Sequence, residues 1–172
     1  RIAIASGKGG TGKTTVATSL AIAIKSHLAP PRPVLLLDAD VEAPNAHLFL
    51  KPDLQQRQPV GIQIPRVDAV RCTGCGRCAE VCQYHAIAVI AGRTLVFPEL
   101  CHGCGSCALN CPEGAIDGVL HVMGNLESGQ AGPISFGHGI LNVGEAMAVP
   151  VIHQLKERHL LSGAPEVAIL DA

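Results

Sequence analysis

The stretch GKGGTGKTT at residues 7–15 follows directly after the apolar run IAIA at residues 2–5. The pattern G-x-x-x-x-G-K-[ST] of phosphate-binding loops is satisfied by Gly7, Gly12, Lys13 and Thr14. A strand before the loop and a helix after it are the context in which this pattern binds nucleotides. The sequence therefore predicts a strand, a phosphate-binding loop and a helix.

The residue types in this loop suit phosphate chemistry. Glycines allow a tight turn that aims backbone amides at phosphate oxygens, and the helix that follows adds the positive end of its dipole. Lys13 is predicted to reach the β- and γ-phosphates, and the Thr14 hydroxyl to hold Mg²⁺. The predicted nucleotide-binding residues are Gly7, Gly9, Gly10, Thr11, Gly12, Lys13, Thr14 and Thr15. Two alternatives are a glycine-rich turn with solvated lysines and a loop that binds ATP or ADP without hydrolysis.

The second lysine of the loop, Lys8, is its unusual feature. GKGGTGKTT resembles the deviant phosphate loop of the MinD/ParA/Mrp family, which includes the nitrogenase iron protein. The resemblance implies an ATPase in which Lys8 crosses a dimer interface and touches the partner's nucleotide. It also implies a homodimer, or a heterodimer with a related ATPase, and catalytic roles for Lys8 and Lys13.

The composition limits the class of protein. Hydrophobic residues make up 48% of the 172 residues but aromatic residues only 2%, as expected for a parallel sheet of aliphatic strands covered by helices. A net charge of −1 gives no sign of nucleic-acid binding, and no apolar run is long enough for a membrane span. We expect a cytoplasmic protein, in which eight cysteines are more often metal ligands than disulfides.

Two acids follow the next predicted strand. After a predicted helix over residues 14–28 and prolines at 30, 31 and 33, the run Val34–Leu37 reads as a buried strand that ends at Asp38 and Asp40. The segment DADVEAPN resembles the switch I region of the MinD/ParA/Mrp family. By that resemblance Asp40 orients the attacking water and Asp38 lies near Mg²⁺. Alternatively, one of the two acids caps the following turn.

Later segments return to the nucleotide fold. Residues 50–65 read as a polar connector and residues 124–139 as a loop or a pair of short edge strands. A helix is predicted over 144–156, ended by Gly163 and Pro165, and a buried strand over 167–171. That strand resembles a Walker B strand, which implies that Asp171 binds Mg²⁺; the alternative is a strand-terminal acid without that role.

Between these segments lies a cysteine repeat. The spacing C-x2-C-x2-C-x3-C occurs twice with a 29-residue period, the interval from Cys72 to Cys101. Ala86-Ile87 also recurs as Ala115-Ile116. The block resembles the bacterial two-cluster ferredoxin, in which the fourth cysteine of each run ligates the other cluster.

That resemblance implies two interlocked 4Fe-4S clusters. One takes Cys72, Cys75, Cys78 and Cys111, and the other takes Cys101, Cys104, Cys107 and Cys82. Pro112 follows Cys111 as in the ferredoxin pattern, whereas Gln83 follows Cys82. Zinc sites and structural disulfides are the alternatives, and neither explains the doubled run.

Together the motifs predict an α/β fold of the P-loop NTPase type, a parallel sheet with helices interrupted by an inserted α+β ferredoxin-like domain. The predicted parts are the first ATPase segment at 1–64, the insert at 65–122 and the rest of the ATPase domain at 123–172. We expect the chain to be a fragment, since the family continues beyond its Walker B strand.

The functional hypothesis is a Mg²⁺-dependent ATPase whose nucleotide state controls electron transfer through two 4Fe-4S clusters to a redox partner protein. The alternatives are an ATP-dependent carrier that assembles or delivers iron-sulfur clusters, and a passive ferredoxin on a degenerate nucleotide fold.

Overall fold

The computed structural model describes residues 1–27, 32–161 and 166–172. The strands in these ranges are β1 (Ile2–Ile4), β2 (Val34–Asp38), β3 (Asp53–Val67), β4 (Ile87–Ile90), β5 (Arg93–Val96), β6 (Ile116–Ala131), β7 (Ile134–Leu141) and β8 (Val167–Asp171). The α-helices are α1 (Lys13–His27), α2 (Ala46–Leu50), α3 (Arg77–Glu80), α4 (Ser106–Leu109) and α5 (Val149–Lys156). A 3₁₀ turn covers Pro98–Leu100, and a π-helical turn over Glu157–Leu161 continues α5.

The chain forms two compact units. One contains Arg1–Val60 and Met123–Ala172, and the other contains Gly61–Val122. The chain leaves the first unit within β3 and re-enters it within β6. The second unit is thus an insertion in the sequence of the first.

The first unit is organised around a mixed sheet with the strand order β1-β8-β2-β7-β6-β3. β1, β8, β2 and β7 are parallel neighbours, and β7 pairs with β6 in the antiparallel sense. β2 is buried at every residue, which explains its continuous apolar sequence. The carboxyl ends of β1, β8 and β2 consequently lie at the same edge of the sheet.

Helix α1 packs on this sheet through small residues. Ala17 and Ala21 are fully buried against a cluster that includes Leu36, Phe136 and Ile169. The helix begins at Lys13, directly after Gly12 with its φ of +83°. The predicted helix is confirmed through His27, whereas Leu28, Pro30 and Pro31 lie outside the described residues.

Two segments differ from the sequence-based expectation. The predicted connector over 50–65 is wrong, because α2 extends to Leu50 and residues 53–67 form β3. β3 is the last strand of the sheet, and an edge strand tolerates exposed polar side chains and prolines without an amide hydrogen, such as Pro59.

Residues 124–139, predicted as a loop or a pair of short edge strands, do form a pair of strands, but these strands are neither short nor at the edge of the sheet. This segment belongs to the long antiparallel pair β6 and β7, and β7 lies inside the sheet between β2 and β6. Helix α5 begins at Val149, five residues later than predicted at Gly144, with Pro150 in its first turn, where a missing amide hydrogen costs no hydrogen bond. The predicted stops at Gly163 and Pro165 lie outside the described residues.

The second unit has little regular structure. β4 and β5 form an antiparallel pair, and the four-residue helices α3 and α4 each follow a glycine with positive φ, Gly76 and Gly105. Its buried cluster consists of Cys78, Ile87 and Ile116, with Cys107 and Cys111 packed against it. Across the three described ranges, no helix is long and apolar enough to cross a membrane.

Candidate functional site

The glycine-rich loop connects the end of β1 to the start of α1. The Ser6 hydroxyl donates to the Lys8 carbonyl at 2.7 Å and lies 2.8 Å from the Thr11 hydroxyl. Gly10 and Gly12 have φ values of +71° and +83°, which glycine adopts without strain. Lys8 is exposed, and Lys13 and Thr14 lie half-buried in the first turn of α1. The loop therefore precedes a helix amino terminus, the usual position of bound phosphate.

Two buried carboxylates end the strands next to this loop. In register, Asp171 of β8 lies opposite Ile4 of β1 and opposite Asp38 of β2. The backbone confirms this alignment, since the Ala172 amide donates to the Ile4 carbonyl at 3.0 Å. Asp38 is 0% exposed and Asp171 is 1% exposed. Both acids predicted to lie near Mg²⁺ are thus buried at the loop's edge of the sheet.

The two carboxylates differ in their partners. Both Asp38 oxygens accept backbone hydrogen bonds, from Asp40 at 3.1 Å and from Asn45 and Ala46 at 2.9 Å. These contacts match the capping role that the sequence left open, because Ala46 is the first residue of α2. Burial nevertheless raises the pKa of the Asp38 carboxyl above its ordinary value of 3.8, and nearby Asp171 raises it further.

Asp171 has no such support. Within the described residues, neither of its buried carboxylate oxygens has a hydrogen-bond partner. A buried carboxylate without partners is costly, and a cation beside it removes that cost. Of the two acids, Asp171 is therefore the stronger candidate for a metal ligand. Asp40, by contrast, is exposed.

A buried histidine extends this row and was not singled out from the sequence. His138 of β7 lies in register with Asp38, and its Nε2 is 3.0 Å from Glu127 Oε2 on β6. The His47 ring lies edge-on to it, with centroids 5.3 Å apart. The alternation Ile134, Phe136, His138 places the histidine on the core face, but this signal is visible only once β7 is recognised as a strand.

In the second unit, the eight cysteines are free thiols arranged around two cavities. One cavity is lined by Cys82, Cys101, Cys104 and Cys107, together with residues that include Tyr84 and His102. The other is lined by Cys72, Cys75, Cys78 and Cys111, together with residues that include Thr73 and Glu113. Each cavity brings together one of the two interlocked sets expected from the repeat. That either set binds a cluster remains a prediction.

The repeat is also present in the backbone. Gly74 and Gly103 have φ values of +68° and +67°, and Gly76 and Gly105 have values of +84° and +73°. A side chain at Gly74 would collide with the backbone of Gly92, so glycine is required there sterically as well. The two halves therefore fold their first three cysteines into equivalent loops.

The surroundings of three cysteines shift the pKa of their thiols, and metal binding requires the thiolate form. Burial raises the pKa of the Cys78 and Cys107 thiols, because a thiolate is poorly solvated there, whereas the Thr94 hydroxyl lowers that of Cys72. Among the described residues, no group of three or more histidine, cysteine, aspartate or glutamate side chains is arranged to hold a metal ion.

Comparison with known proteins extends these observations. Residues 2–166 match the CobQ/CobB/MinD/ParA nucleotide binding domain. Over 99% of its length the chain is 34% identical to the uncharacterized protein MJ0578 of Methanocaldococcus jannaschii, and it covers 58% of that protein. Over 28% of its length it is 49% identical to the uncharacterized ATP-binding protein MJ0547 of the same organism, of which it covers 17%. The chain thus spans less than two thirds of each of these relatives.

Proposed function

The chain belongs to the CobQ/CobB/MinD/ParA nucleotide-binding family, and from this premise we propose that it binds and hydrolyses ATP and couples its nucleotide state to electron transfer through two 4Fe-4S clusters. The observation that carries the ATP half is the buried carboxylate of Asp171, which has no hydrogen-bond partner among the residues described and lies at the strand end beside the glycine-rich loop. The ATP-binding name of the relative MJ0547 points in the same direction.

The residues of the first unit have distinct roles in this proposal. Backbone amides of residues 7–15 hold the phosphates, Lys13 neutralises the β- and γ-phosphates, and Thr14 and Asp171 hold Mg²⁺. When bound, Mg²⁺ supplies positive charge against the phosphate oxygens. Asp38 fixes the turn that leads into α2 through its three backbone hydrogen bonds. That turn presents the exposed Asp40, which orients the attacking water.

In this proposal Lys8 acts across the interface of a dimer. It is exposed in a loop that precedes the phosphate-binding lysine, so it is free to reach a nucleotide held by a second subunit. The second subunit is another copy of this chain or a related ATPase. Such an arrangement adds positive charge to the transferring phosphoryl group, where it is most effective.

The ATP half is tested by replacing Lys13. We expect Lys13→Ala to lower kcat for ATP hydrolysis by at least about a hundredfold, because charge stabilisation is the main catalytic term in phosphoryl transfer. Lys25→Ala, at a half-buried lysine in the last turn of α1, is the matched control and should leave the rate unchanged. An undiminished rate in Lys13→Ala would exclude the proposed ATPase.

The cluster half rests on the two cysteine-lined cavities. A 4Fe-4S cluster takes each of its four cysteines at a different iron, so the thiolates surround the cluster instead of converging on one ion. The partition into Cys72, Cys75, Cys78 and Cys111 and into Cys82, Cys101, Cys104 and Cys107 supports two such sites. Each bound cluster would store and pass on one electron, which requires a redox partner protein.

Coupling of the two halves is tested by anaerobic EPR. The reduced, iron-loaded protein is titrated with and without MgATP, and the spin count gives the number of clusters. We expect two clusters whose signals or midpoint potentials shift on addition of MgATP. Clusters that ignore MgATP in an ATP-hydrolysing protein would refute the coupling.

A second candidate function is delivery of iron-sulfur clusters. It is favoured by the exposure of Cys75 and Cys104, one in each cavity, since an acceptor protein must reach a ligand to take a cluster. Transfer of iron to an apo-ferredoxin, measured together with reversible redox cycling, separates the two functions. Transfer without reversible cycling would favour the carrier.

A further inference from the structure

We propose that Tyr84 and His102 are a positioning pair that holds the turn after Cys82, in the role that Pro112 has after Cys111. The proposal rests on the two cluster sites proposed above. It concerns only the Cys82, Cys101, Cys104 and Cys107 cavity, which both rings line. The pair would secure Cys82, the ligand that this cavity receives from the other half of the repeat.

The turns after Cys82 and Cys111 have the same hydrogen bonds. The His85 amide donates to the Cys82 carbonyl at 3.2 Å, as the Gly114 amide does to the Cys111 carbonyl. The Ala86 amide donates to Cys82 Sγ at 3.3 Å, as the Ala115 amide does to Cys111 Sγ. Both turns therefore present their cysteine sulfur in the same way.

The sequences of the two turns are not equally suited to this geometry. The second turn has Pro112, which restricts the chain, and Gly114, which adopts a φ of +55° at no cost. The first turn has Gln83 at the position of Pro112, and His85 at a φ of +53°, which a side chain disfavours. Without further support, the first turn should hold its cysteine less firmly.

The support is an aromatic stack that only the first turn has. The Tyr84 and His102 rings are 3.7 Å apart between centroids and inclined by only 14°. Tyr84 is the single tyrosine of the chain, and it connects the Cys82 turn to the residue after Cys101. The equivalent positions around the other cavity are Glu113 and Thr73, which cannot form such a stack.

The test compares cluster retention in the anaerobically iron-loaded full chain. Iron and sulfide content and the EPR spin count are followed after addition of an iron chelator. Wild-type protein should start with about eight irons. In Tyr84→Ala we expect about four of these to be lost about threefold to tenfold faster than in wild type, the range for one lost aromatic pair.

Four further variants sharpen the test. His102→Thr, which introduces the residue of the equivalent position, should reproduce the loss, and Tyr84→Phe should retain both clusters. Gln83→Pro added to Tyr84→Ala should restore retention by supplying the missing restriction. Glu113→Ala is the matched control on the other cavity and should lose iron at the wild-type rate.

The outcomes separate this inference from the cluster proposal. Wild-type protein that binds no iron refutes the proposed function itself. Two clusters of unchanged stability in Tyr84→Ala and His102→Thr, or equal acceleration of both clusters, would overturn the positioning role. Selective loss of one cluster with rescue by Gln83→Pro supports it.

Discussion

Asp38 and Asp171 show that the immediate surroundings of a residue decide which role its side chain can have. Both are aspartates at the ends of neighbouring parallel strands, in register and almost fully buried. Asp38 accepts three backbone hydrogen bonds, whereas in the described part of the chain Asp171 accepts none. The first carboxylate therefore orders the turn into α2, whereas the second is the one that we propose as a Mg²⁺ ligand.

Replacing Asp171 should have opposite effects on the free and the nucleotide-bound protein. Asp171→Asn replaces a buried carboxylate that has no hydrogen-bond partner in the described ranges, so we expect the free energy of unfolding of the nucleotide-free protein to rise by about 1 kcal/mol or more. The increase in Tm on addition of MgATP should be largely lost, because the proposed Mg²⁺ ligand is gone. Thermal unfolding with and without MgATP measures both effects.

The control for Asp171→Asn is Asp40→Asn, at an exposed acid of the same edge of the sheet. Its nucleotide-free stability should stay within about 0.5 kcal/mol of wild type, as is usual for surface changes. A nucleotide-free Asp171→Asn protein that is less stable than wild type would show that the Asp171 carboxylate stabilises the fold itself, which would contradict its proposed role as a metal ligand.

Asp38 should make stability depend on pH. Because burial raises its pKa above 3.8 in the folded state, folding favours the protonated carboxyl. Its contribution to stability is complete below pH 3.8 and is lost as the pH rises through the raised folded pKa. Urea unfolding of iron-free wild-type and Asp38→Asn protein should give a stability difference, wild type minus variant, that falls across this window. A difference that rises with pH would mean that the three hydrogen bonds outweigh burial.

At the scale of elements, the sequence predicted the parts whose local signal is strong. Few other local structures are compatible with the sequence motif or apolar run found in each of these parts, which are the glycine-rich loop, α1, β2 and β8. β3 was missed, and β7 was expected at most as a short edge strand, for different physical reasons. β3 is polar because it is an edge strand, and β7 is rich in glycine because its neighbours come close: a side chain at Gly139 would lie 2.7 Å from Val41 Cγ1.

The candidate site residues were also predictable where a sequence motif marks them, and not where they depend on tertiary contacts. The cysteine spacing carried the resemblance to the two-cluster ferredoxin, and that resemblance implied the two sets of four that line the cavities. The His138–Glu127 pair could not be found in this way, because it depends on the register between β6 and β7. The Tyr84–His102 stack could not be predicted either, because it joins residues from the two halves of the repeat and no local sequence pattern indicates such a contact.

Glycines in β6 should be sensitive to substitution for the same reason as those in β7, because neighbouring atoms come close to them. A side chain at Gly129 would collide with the backbone carbonyl of Asp53 in β3, and backbone cannot move aside as a flexible side chain can. We expect Gly129→Ala to lower the free energy of unfolding by about 1–3 kcal/mol, measured by urea unfolding. Gly7→Ala, where no atom lies within 4 Å of the added carbon, should change it by no more than about 0.5 kcal/mol. Equal effects of the two changes would contradict the close approach of β3 and β6.

At the scale of the whole molecule, the two units differ in the kind of core that stabilises each of them. Residues 1–60 and 123–172 have a sheet with a buried aliphatic core that includes Leu36, Leu37 and Ile169. Residues 61–122 have a core cluster of Cys78, Ile87 and Ile116, against which Cys107 and Cys111 pack. A small unit with so few buried apolar residues usually needs a metal centre to stay folded.

Removal of iron should therefore affect the two units differently. If the proposed clusters replace the missing apolar core, chelation should raise amide hydrogen exchange throughout residues 61–122, because folding there is linked to metal binding. β2 and β8 should keep their protection, since they are buried in the other unit. Mass spectrometry of peptides from iron-loaded and iron-free protein measures both regions in one experiment. Unchanged exchange over residues 61–122 would show that this unit folds on its own side chains, and the clusters would then be cargo or redox centres without a structural role.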